Sequence, residues 1–337
     1  MKKWYQDTEI RDGIVLSSRV RLARNLADFP FPARLDLAGR EQVCRLVRDS
    51  LANVSGLKLK YIEMQELTPK QAVALAERHI ISPEFAVNER GKALLLSEDE
   101  SISIMLCEED HIRIQVIRGG FDLDGAFESA MRLDDLLDSL LHYAFDERLG
   151  YLTQCLTNLG TGMRAGVMMH LPALAKCGRV QKLSNTVSKL GLTVRGTYGE
   201  GTGAKGDVYQ LSNQVSLGIS ERTALDNLKA IAMQIATQER AVGDELIKDD
   251  TVLDHIQRAE GILRAARLLS TEEMLELFSW LRLGVRQGIA EADISGFNEL
   301  TQTMQAATLS EAGGGGLDRN KRDALRAQQV RERLFDS

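Results

Sequence analysis

The spacing of apolar and polar residues predicts several β-strands in the first two thirds of the chain. Residues 14–25 begin as an apolar strand, and residues 207–217 alternate between apolar and polar positions. Residues 102–106 and 111–117 also show strand patterns, and the short polar turn between them predicts a hairpin. A further strand is predicted over residues 93–96.

Helical spacing of apolar residues predicts helices between these strands. Thr68 can cap a helix whose first residue is Pro69. After a small polar loop, the pattern predicts a helix that runs through Met168. Strands and helices mixed in this way indicate an α+β fold, with an antiparallel sheet flanked by helices. The other helices predicted in this part cover residues 38–54, 124–145 and 220–242.

The pattern changes near residue 245, where a polar and acidic stretch begins. No strand pattern follows it, whereas capping boxes and helical spacing do. We therefore predict a catalytic domain over residues 1–245 and an all-α C-terminal domain over residues 246–337. Two helices are predicted to begin with capping boxes at Thr251 and Ser270. Two more are predicted over residues 293–308 and 317–334.

Composition limits the classes of function. The chain has 337 residues and a formal net charge of −6, so general affinity for nucleic acid is not expected. Its four cysteines include no CxxC pair, and we predict no metal site on the protein. No apolar run reaches the roughly 20 residues of a membrane helix, and the N-terminus has no apolar signal segment. We therefore predict a cytoplasmic protein.

Five arginines in apolar surroundings are candidates for phosphate binding. Arg19 and Arg21 are two residues apart in the first predicted strand, so their side chains share one face. Planar guanidinium groups bind phosphate oxygens through paired hydrogen bonds. We expect this pair to converge on a nucleoside triphosphate with three later arginines, which are Arg113, Arg164 and Arg195.

An acidic turn and a cysteine could also carry chemistry. The turn Glu108-Glu109-Asp110 stands close to Arg113, although three acids at a turn are also typical of a solvated loop. Cys155 precedes the polar loop that opens a predicted helix, and a helix N-terminus would lower its pKa. The alternative for a lone cysteine is an inert position in the core.

A glycine-rich stretch, Gly201–Val208, matches the GxGxxG pattern of nucleotide-binding proteins. The pattern is weak alone because a strand follows it, where a Rossmann domain needs a helix. The Walker A motif and the protein-kinase motifs VAIK, HRD and DFG are absent from the sequence. We interpret the stretch as a mobile glycine loop that can close over a substrate.

These segments, in this order, resemble the phosphagen (guanidino) kinases. The resemblance covers about residues 14–220 and depends on five motifs. The motifs are Ser17–Asn25, Glu108–Arg113, Cys155–Thr161, Arg164–Met168 and Arg195–Glu200. The chain departs from the family pattern at Cys107, Leu156 and Gly166, but it keeps the arginines and the carboxylates.

The resemblance implies a role for each motif. Glu109 and Glu200 would hold the guanidinium of the acceptor, with Glu109 as general base, and the Cys155 thiolate would help to position it. Mg-ATP is the implied phosphoryl donor. The residues implied in nucleotide binding are Ser17, Ser18, Arg19, Val20, Arg21, His79, Arg113, Arg164, Ala165, Gly166, Val167, Met168, Arg195, Gly196, Thr197, Tyr198, Gly199 and Glu200.

Within the family, the chain is most similar to the bacterial subgroup that phosphorylates arginine side chains of proteins. The nucleotide motif begins almost at once, so we expect the N-terminal helical domain of the small-guanidine kinases to be missing and the acceptor site to be open. The implied phosphoarginine-binding motif is Arg322, Asp323, Ala324, Leu325, Arg326 and Ala327. A solvated amphipathic helix is the alternative for these residues.

The resemblance also implies partners. These are protein substrates with exposed arginines, an activator protein, a stress-gene repressor and a Clp ATPase that degrades the marked proteins. We predict a homodimer without a nucleic-acid or membrane partner. Two alternatives remain open at this point: a kinase of a small guanidine compound, and a non-catalytic adaptor that binds phosphoarginine through Arg322 and Arg326.

Overall fold

The computed structural model describes residues 2–6, 13–52, 54–196, 204–314 and 316–336. The strands within these ranges are β1 (Val15–Arg24), β2 (Leu59–Glu63), β3 (Ala93–Ser97), β4 (Ile102–Leu106), β5 (Ile112–Gly119), β6 (Phe145–Asp146), β7 (Gly150–Tyr151), β8 (Met163–His170), β9 (Leu192–Gly196) and β10 (Val208–Asn213). Among the described residues, eight strands form one antiparallel sheet in the order β2-β3-β4-β5-β1-β8-β10-β9, and β6 pairs with β7.

Strand β1 lies in the interior of the sheet, between β5 and β8. Its pleat directs Val20 and Leu22 into the apolar core, where both side chains are fully buried. Arg19 and Arg21 occupy the alternate positions and face the other side of the sheet. The sheet therefore has one apolar face for the core and one face that can carry polar chemistry.

Helices pack on the sheet and form the C-terminal part of the chain. α2 begins with the predicted cap: Thr68 accepts a hydrogen bond from Gln71 N, and Gln71 accepts one from Thr68 N. The helices within the described residues are α1 (Leu37–Ala52), α2 (Pro69–Glu77), α3 (Leu123–Leu140), α4 (Pro172–Lys176), α5 (Val180–Ser188), α6 (Glu221–Leu246), α7 (Asp250–Ala265), α8 (Thr271–Arg286), α9 (Ile294–Thr303), α10 (Ala306–Ala312) and α11 (Arg319–Phe335). The predicted α+β class is confirmed.

The segment after the polar loop is a strand, and the predicted helix through Met168 is wrong. β8 pairs with β1 on one edge and with β10 on the other, so its backbone hydrogen bonds lie within the sheet. Pairing on both edges of the strand overrides the weak local preference of this segment for a helix. Cys155 is followed only by a short 3₁₀ helix, Leu156–Asn158, so the predicted α-helix N-terminus at this cysteine is also wrong.

The C-terminal helices differ from the prediction in detail. α6 continues through Gly243 because glycine there allows close packing against the end of α8. The helix predicted over residues 293–308 is divided into α9 and α10. Asp249 caps α7, rather than Thr251, whereas Ser270 caps α8 as predicted.

Helices α7 to α11 have an apolar core of their own, and polar contacts join them to the sheet. Arg282 of α8 donates to the Gly13 carbonyl oxygen at 3.1 Å. Glu77, the last residue of α2, accepts hydrogen bonds at the start of α10 from Ala307 N (3.0 Å) and Thr308 N (2.8 Å). Within the described ranges, no helix has the length and apolar character to cross a membrane.

Candidate active site

The polar face of the sheet and the segment after α2 enclose a cleft of about 350 Å³. Within the described part of the chain, five arginines from four strands line this cleft. They are Arg19 and Arg21 of β1, Arg113 of β5, Arg164 of β8 and Arg195 of β9. The arginines predicted to converge therefore lie in one cavity.

Strand register places these arginines side by side. Arg21 of β1 lies directly opposite Arg164 of β8, and Arg19 lies opposite Gly166. A Cβ atom at Gly166 would come within 2.9 Å of the Leu211 carbonyl oxygen and within 3.3 Å of Gln210 Nε2. Glycine therefore leaves room for Gln210, whose Oε1 accepts a hydrogen bond from the Arg19 guanidinium at 2.8 Å.

Burial and mutual repulsion disfavour the charge on these arginines. Burial, followed by repulsion from Arg113 and Arg164, lowers the pKa of Arg19 to about 10. Burial and the neighbouring Arg19 lower the pKa of Arg21 well below its ordinary value. Arg21 Nε is buried and has no hydrogen-bond acceptor among the described residues. A bound polyphosphate would supply both the acceptors and the negative charge.

His79 lines one wall of the cleft as a neutral group. It follows α2 with a φ of 61°, and its carbonyl oxygen accepts a hydrogen bond from Gln115 Nε2 at 2.9 Å. Burial, and then the charge of Arg19, lower its pKa to about 4. His79 therefore adds no positive charge to the cleft at neutral pH.

Glu108, in the acidic turn after β4, forms an ion pair with Arg113 and accepts a hydrogen bond from Ser82. Burial favours a higher pKa for Glu108, but the charge of Arg113 and these hydrogen bonds outweigh it, so the pKa lies below the ordinary value. Reasoning from the sequence missed the roles of Glu108 and Ser82. Ser82 is 26 residues away from the turn, and only the fold brings the two together.

Glu109 and Cys155 meet beside Arg113. Burial, followed by repulsion from Asp110, raises the pKa of Glu109, while the charge of Arg113 and a hydrogen bond with Cys155 act in the opposite direction. Asp110 is buried and accepts a hydrogen bond from Gln154 N at 2.8 Å. Asp110 therefore fixes the acidic turn to the loop that carries Cys155.

Some side chains predicted to bind nucleotide point away from the cleft. Val20, Ala165 and Val167 lie in the core, because alternate residues of a strand face opposite sides of the sheet. The Ser18 hydroxyl bonds with backbone groups of the turn before α3. Gly196 lines the cleft. The predictions for Thr197, Tyr198, Gly199 and Glu200 concern residues outside the described part of the chain.

The predicted phosphoarginine-binding motif lies on α11, where Arg322 and Arg326 are one turn apart. Arg326 is buried; it donates to two carbonyl oxygens at 2.8 and 2.7 Å and pairs with Asp323 at 2.6 Å. Arg322 is partly exposed, and its guanidinium lies 3.4 Å from Ser310 Oγ. Arg326 therefore holds the helix in place, while Arg322 is the more accessible of the two arginines.

Two family descriptions match the chain. "ATP:guanido phosphotransferase, C-terminal catalytic domain" matches residues 42–242, and "Protein-arginine kinase McsB C-terminal domain" matches residues 249–337. A protein-arginine kinase of Caldanaerobacter subterraneus subsp. tengcongensis is 43% identical over 326 residues, which cover 95% of this chain and 97% of that protein. A protein-arginine kinase of Halothermothrix orenii is 44% identical over 324 residues, covering 95% and 93%.

Solved structures show the same likeness. The crystal structure of a lombricine kinase has a TM-score of 0.60 and 28% identity, over 70% of this chain and 71% of that one. A duplicated taurocyamine kinase from Schistosoma mansoni has a TM-score of 0.61 and 26% identity, over 71% of this chain and 36% of that one. The likeness in sequence thus extends through nearly the whole chain, and the structural likeness covers about 70% of it.

Proposed function

The chain belongs to the protein-arginine kinases of the ATP:guanido phosphotransferase family, and we propose that its cleft transfers the γ-phosphoryl group of ATP to arginine side chains of proteins. The observation that supports this use of the cleft is the convergence of five arginines, one of which, Arg113, acts electrostatically on Glu109 in the acidic turn. The arginines match a polyphosphate in charge and hydrogen-bonding geometry. The acid matches a guanidinium.

The arrangement of charge gives the nucleotide a direction. Arg19, Arg21 and Arg164 form the interior of the phosphate site, since register places them together on the sheet. Arg113 lies nearest the acceptor, because it contacts the acidic turn. The adenine ring of ATP then lies beside His79, which is neutral and lines the same cleft.

Glu109 acts as general base in this proposal. A bond forms between a guanidine nitrogen of the acceptor and the γ-phosphorus, while the bond from that phosphorus to the bridging oxygen of ADP breaks. The proton on the attacking nitrogen passes to Glu109. An arginine holds its proton tightly, with a pKa above ~12, so a carboxylate with a raised pKa is the better acceptor. The cleft arginines stabilise charge on the phosphoryl oxygens.

Two further groups complete the acceptor site. Cys155, which lies near enough to Glu109 to lower its pKa, positions the same guanidinium. Glu108 holds Arg113 at the junction between donor and acceptor. Glu200 is proposed as the second acid that grips the guanidinium, on the basis of the family resemblance alone.

Mg²⁺ fits this site as part of the nucleotide. Within the described ranges, no group of three or more His, Cys, Asp or Glu side chains is placed to hold a metal ion. Mg²⁺ commonly keeps several waters and binds through substrate phosphates, with one or two carboxylates nearby. We propose that Glu108 faces that hydrated ion. When bound, the ion supplies positive charge that neutralises the phosphates.

The C-terminal helices are proposed to read the product. We propose that residues 1–245 catalyse the transfer and that residues 246–337 bind phosphoarginine through Arg322, with Arg326 and Asp323 fixing the helix. By resemblance to the family, we also propose a cytoplasmic homodimer that responds to an activator protein, modifies a stress-gene repressor and marks substrates for a Clp ATPase.

Glu109→Gln tests the proposal directly. The variant keeps the size of the side chain but cannot accept the proton, so we expect transfer to a protein substrate to fall about 10²- to 10⁴-fold. ATP binding should change by less than about twofold, because the arginines are intact. Phosphoarginine is measured by mass spectrometry without acid treatment, and ATP binding by calorimetry.

Glu84→Gln is the matched control. Glu84 also lines the cleft, but it is exposed and lies on the wall opposite the sheet, so its substitution should leave turnover close to normal. Near-normal transfer by Glu109→Gln would exclude Glu109 as the base. Phosphorylation of free arginine but not of proteins would instead indicate a small-guanidine kinase, and a lack of ATP turnover would indicate a binding protein.

A further inference from the structure

Four exposed apolar side chains lie at the end of the molecule where Glu109 meets Cys155. Leu156, Leu190, Val215 and Leu217 are exposed to 81%, 57%, 44% and 48% of their surface, and we call them the apolar ridge. Leu156 directly follows Cys155 in the chain. Grouped exposed apolar residues are unfavourable in water and commonly mark a binding surface.

Hydrogen bonds between three segments hold the ridge together. Ser216, between Val215 and Leu217, places its Oγ within 2.9 Å of the Thr157 carbonyl oxygen. Its own carbonyl oxygen accepts from Thr161 N at 3.0 Å. The loop after Leu156 is therefore fastened to the backbone that presents Val215 and Leu217.

Leu190 joins the ridge through the turn before β9. Gln214 N donates to the Gly191 carbonyl oxygen at 2.9 Å, next to Val215 and Leu190 in the chain. A Cβ at Gly191 would lie only 3.2 Å from Val215 Cγ2, so the two segments are in close contact. The apolar side chains are thus exposed on backbone that is bonded in place.

The length of an arginine side chain determines how close the substrate backbone comes to the apolar ridge. An extended arginine side chain spans only about 7 Å from its Cα to its guanidinium, by ordinary bond lengths. When the guanidinium lies against Glu109 and Cys155, the polypeptide backbone that carries it must therefore pass close to the loop after Cys155. Leu156 directly follows Cys155 and is exposed, so its side chain is available to a polypeptide that passes there.

We propose that the apolar ridge binds apolar side chains that flank the target arginine in the substrate polypeptide. This inference rests on the proposed function, because it takes the acceptor guanidinium to lie beside Glu109. The occupant is a segment of a protein substrate, since the ridge is continuous with the acceptor site through Cys155 and Leu156. The ridge acts on the choice of arginine and has no part in the chemical step.

The test uses two peptides that differ only beside their single arginine. One has glycine on both sides of the arginine, and the other has leucine on both sides. Burial of a leucine on the ridge should make kcat/KM for the leucine-flanked peptide about five- to tenfold higher. The double variant Val215→Ser with Leu217→Ser should bring this ratio close to one, with the KM for ATP and the turnover of the glycine-flanked peptide unchanged.

Leu268→Ser is the matched control. Leu268 is exposed to 56% between α7 and α8, far along the chain from the acceptor loop, and its substitution should preserve the preference for leucine.

Equal rates for the two peptides with the unaltered protein, or an unchanged ratio in the double variant, would overturn the inference. A double variant that changes the oligomeric state and leaves the peptide ratio unaltered would make the ridge a contact between copies, which also overturns it. If neither peptide is phosphorylated while proteins are, the ridge inference fails and the proposed function stands; if nothing is phosphorylated, the proposed function fails.

Discussion

Two sets of arginines in this protein differ in what surrounds them. In the cleft, Arg21 has a buried Nε without an acceptor among the described residues, and its nearest charged neighbours include Arg19 and Arg113. On the other face of the same strand, Arg24 is fully buried but bonds with both carboxylate oxygens of Asp134, at 2.6 to 3.1 Å. Its guanidinium also lies 3.4 Å from the centre of the Tyr151 ring.

The comparison distinguishes arginines that stabilise the fold from arginines that are placed to bind a ligand. Arg24 and Arg326 are both buried, and each is matched by a carboxylate and by carbonyl oxygens. The cleft arginines repel one another, and burial lowers the pKa of Arg19 and of Arg21. A buried cation with its partners present stabilises the fold, whereas a group of cations that crowd together indicates a ligand that brings the negative charge.

The largest effect is expected for Arg24→Met. The substitution leaves Asp134 buried without its partner, so the free energy of unfolding should fall by about 3–5 kcal/mol. Chemical denaturation measures this loss. Adding Asp134→Leu should recover much of it, because both charges are then removed. A loss below about 1 kcal/mol for the single variant would mean that Arg24 does not stabilise the fold.

Arg164→Gln should give the opposite behaviour. We expect the rate of phosphoryl transfer to fall about 10²- to 10³-fold, as for removal of one donor that stabilises transition-state charge. Relief of the repulsion with Arg19 and Arg21 favours the folded state, so the free energy of unfolding should fall by much less than for Arg24→Met. Steady-state kinetics and denaturation of the same sample measure both. A clear loss of stability without a loss of rate would assign Arg164 to the scaffold.

Glu77→Gln tests the contact between the end of α2 and the start of α10, which joins the sheet region to the C-terminal helices. Gln can accept one of the two backbone hydrogen bonds from α10 but places an amide against the other, so we expect a loss of about 1–3 kcal/mol. Thermal unfolding with ATP absent measures it. Thr308→Val keeps both backbone bonds to Glu77, removes only the hydroxyl contacts with Glu77 and with the Ala74 carbonyl oxygen, and should cost less. Equal losses for both variants would contradict the importance of the backbone bonds.

The smallest effect concerns pH. Burial, then Asp110, raise the pKa of Glu109, so the folded state favours the protonated carboxyl; this contribution to stability is lost as the pH rises through the raised pKa. Catalysis needs the ionised base, so kcat/KM should rise over the same interval. Asp110→Asn removes a neighbouring charge and should move this rise to lower pH. A profile of kcat/KM against pH that Asp110→Asn does not alter would argue against Glu109 as the titrating base.

The sequence was informative where the side-chain period is regular. Alternation in β1 correctly placed Arg19 and Arg21 on one face, because a strand has a strict period of two. The same reasoning could not identify β8, whose residues 163–170 are mostly apolar and small and show no clear period. Its identity as a strand depends on β1 and β10, which are distant in sequence.

Contacts over long sequence distances account for the other gaps. Ser82 reaches Glu108 only after α2 has packed beside the sheet. Arg326 was predicted from its motif to bind phosphoarginine, yet carbonyl groups 22 and 57 residues away hold its guanidinium. Local sequence gives the type of a side chain and its face, whereas its partners follow from tertiary structure.

The bond between Glu77 and α10 has a consequence for how the protein can be divided. Glu77 ends the helix from which the chain turns into His79 and the cleft wall, so the same short segment serves both halves of the molecule. A fragment that stops before α10 would expose this carboxylate to water and leave the His79 wall of the arginine-lined cleft without its support. The two regions are therefore not independent modules, and grafting the sheet part onto another protein would require a substitute for α10.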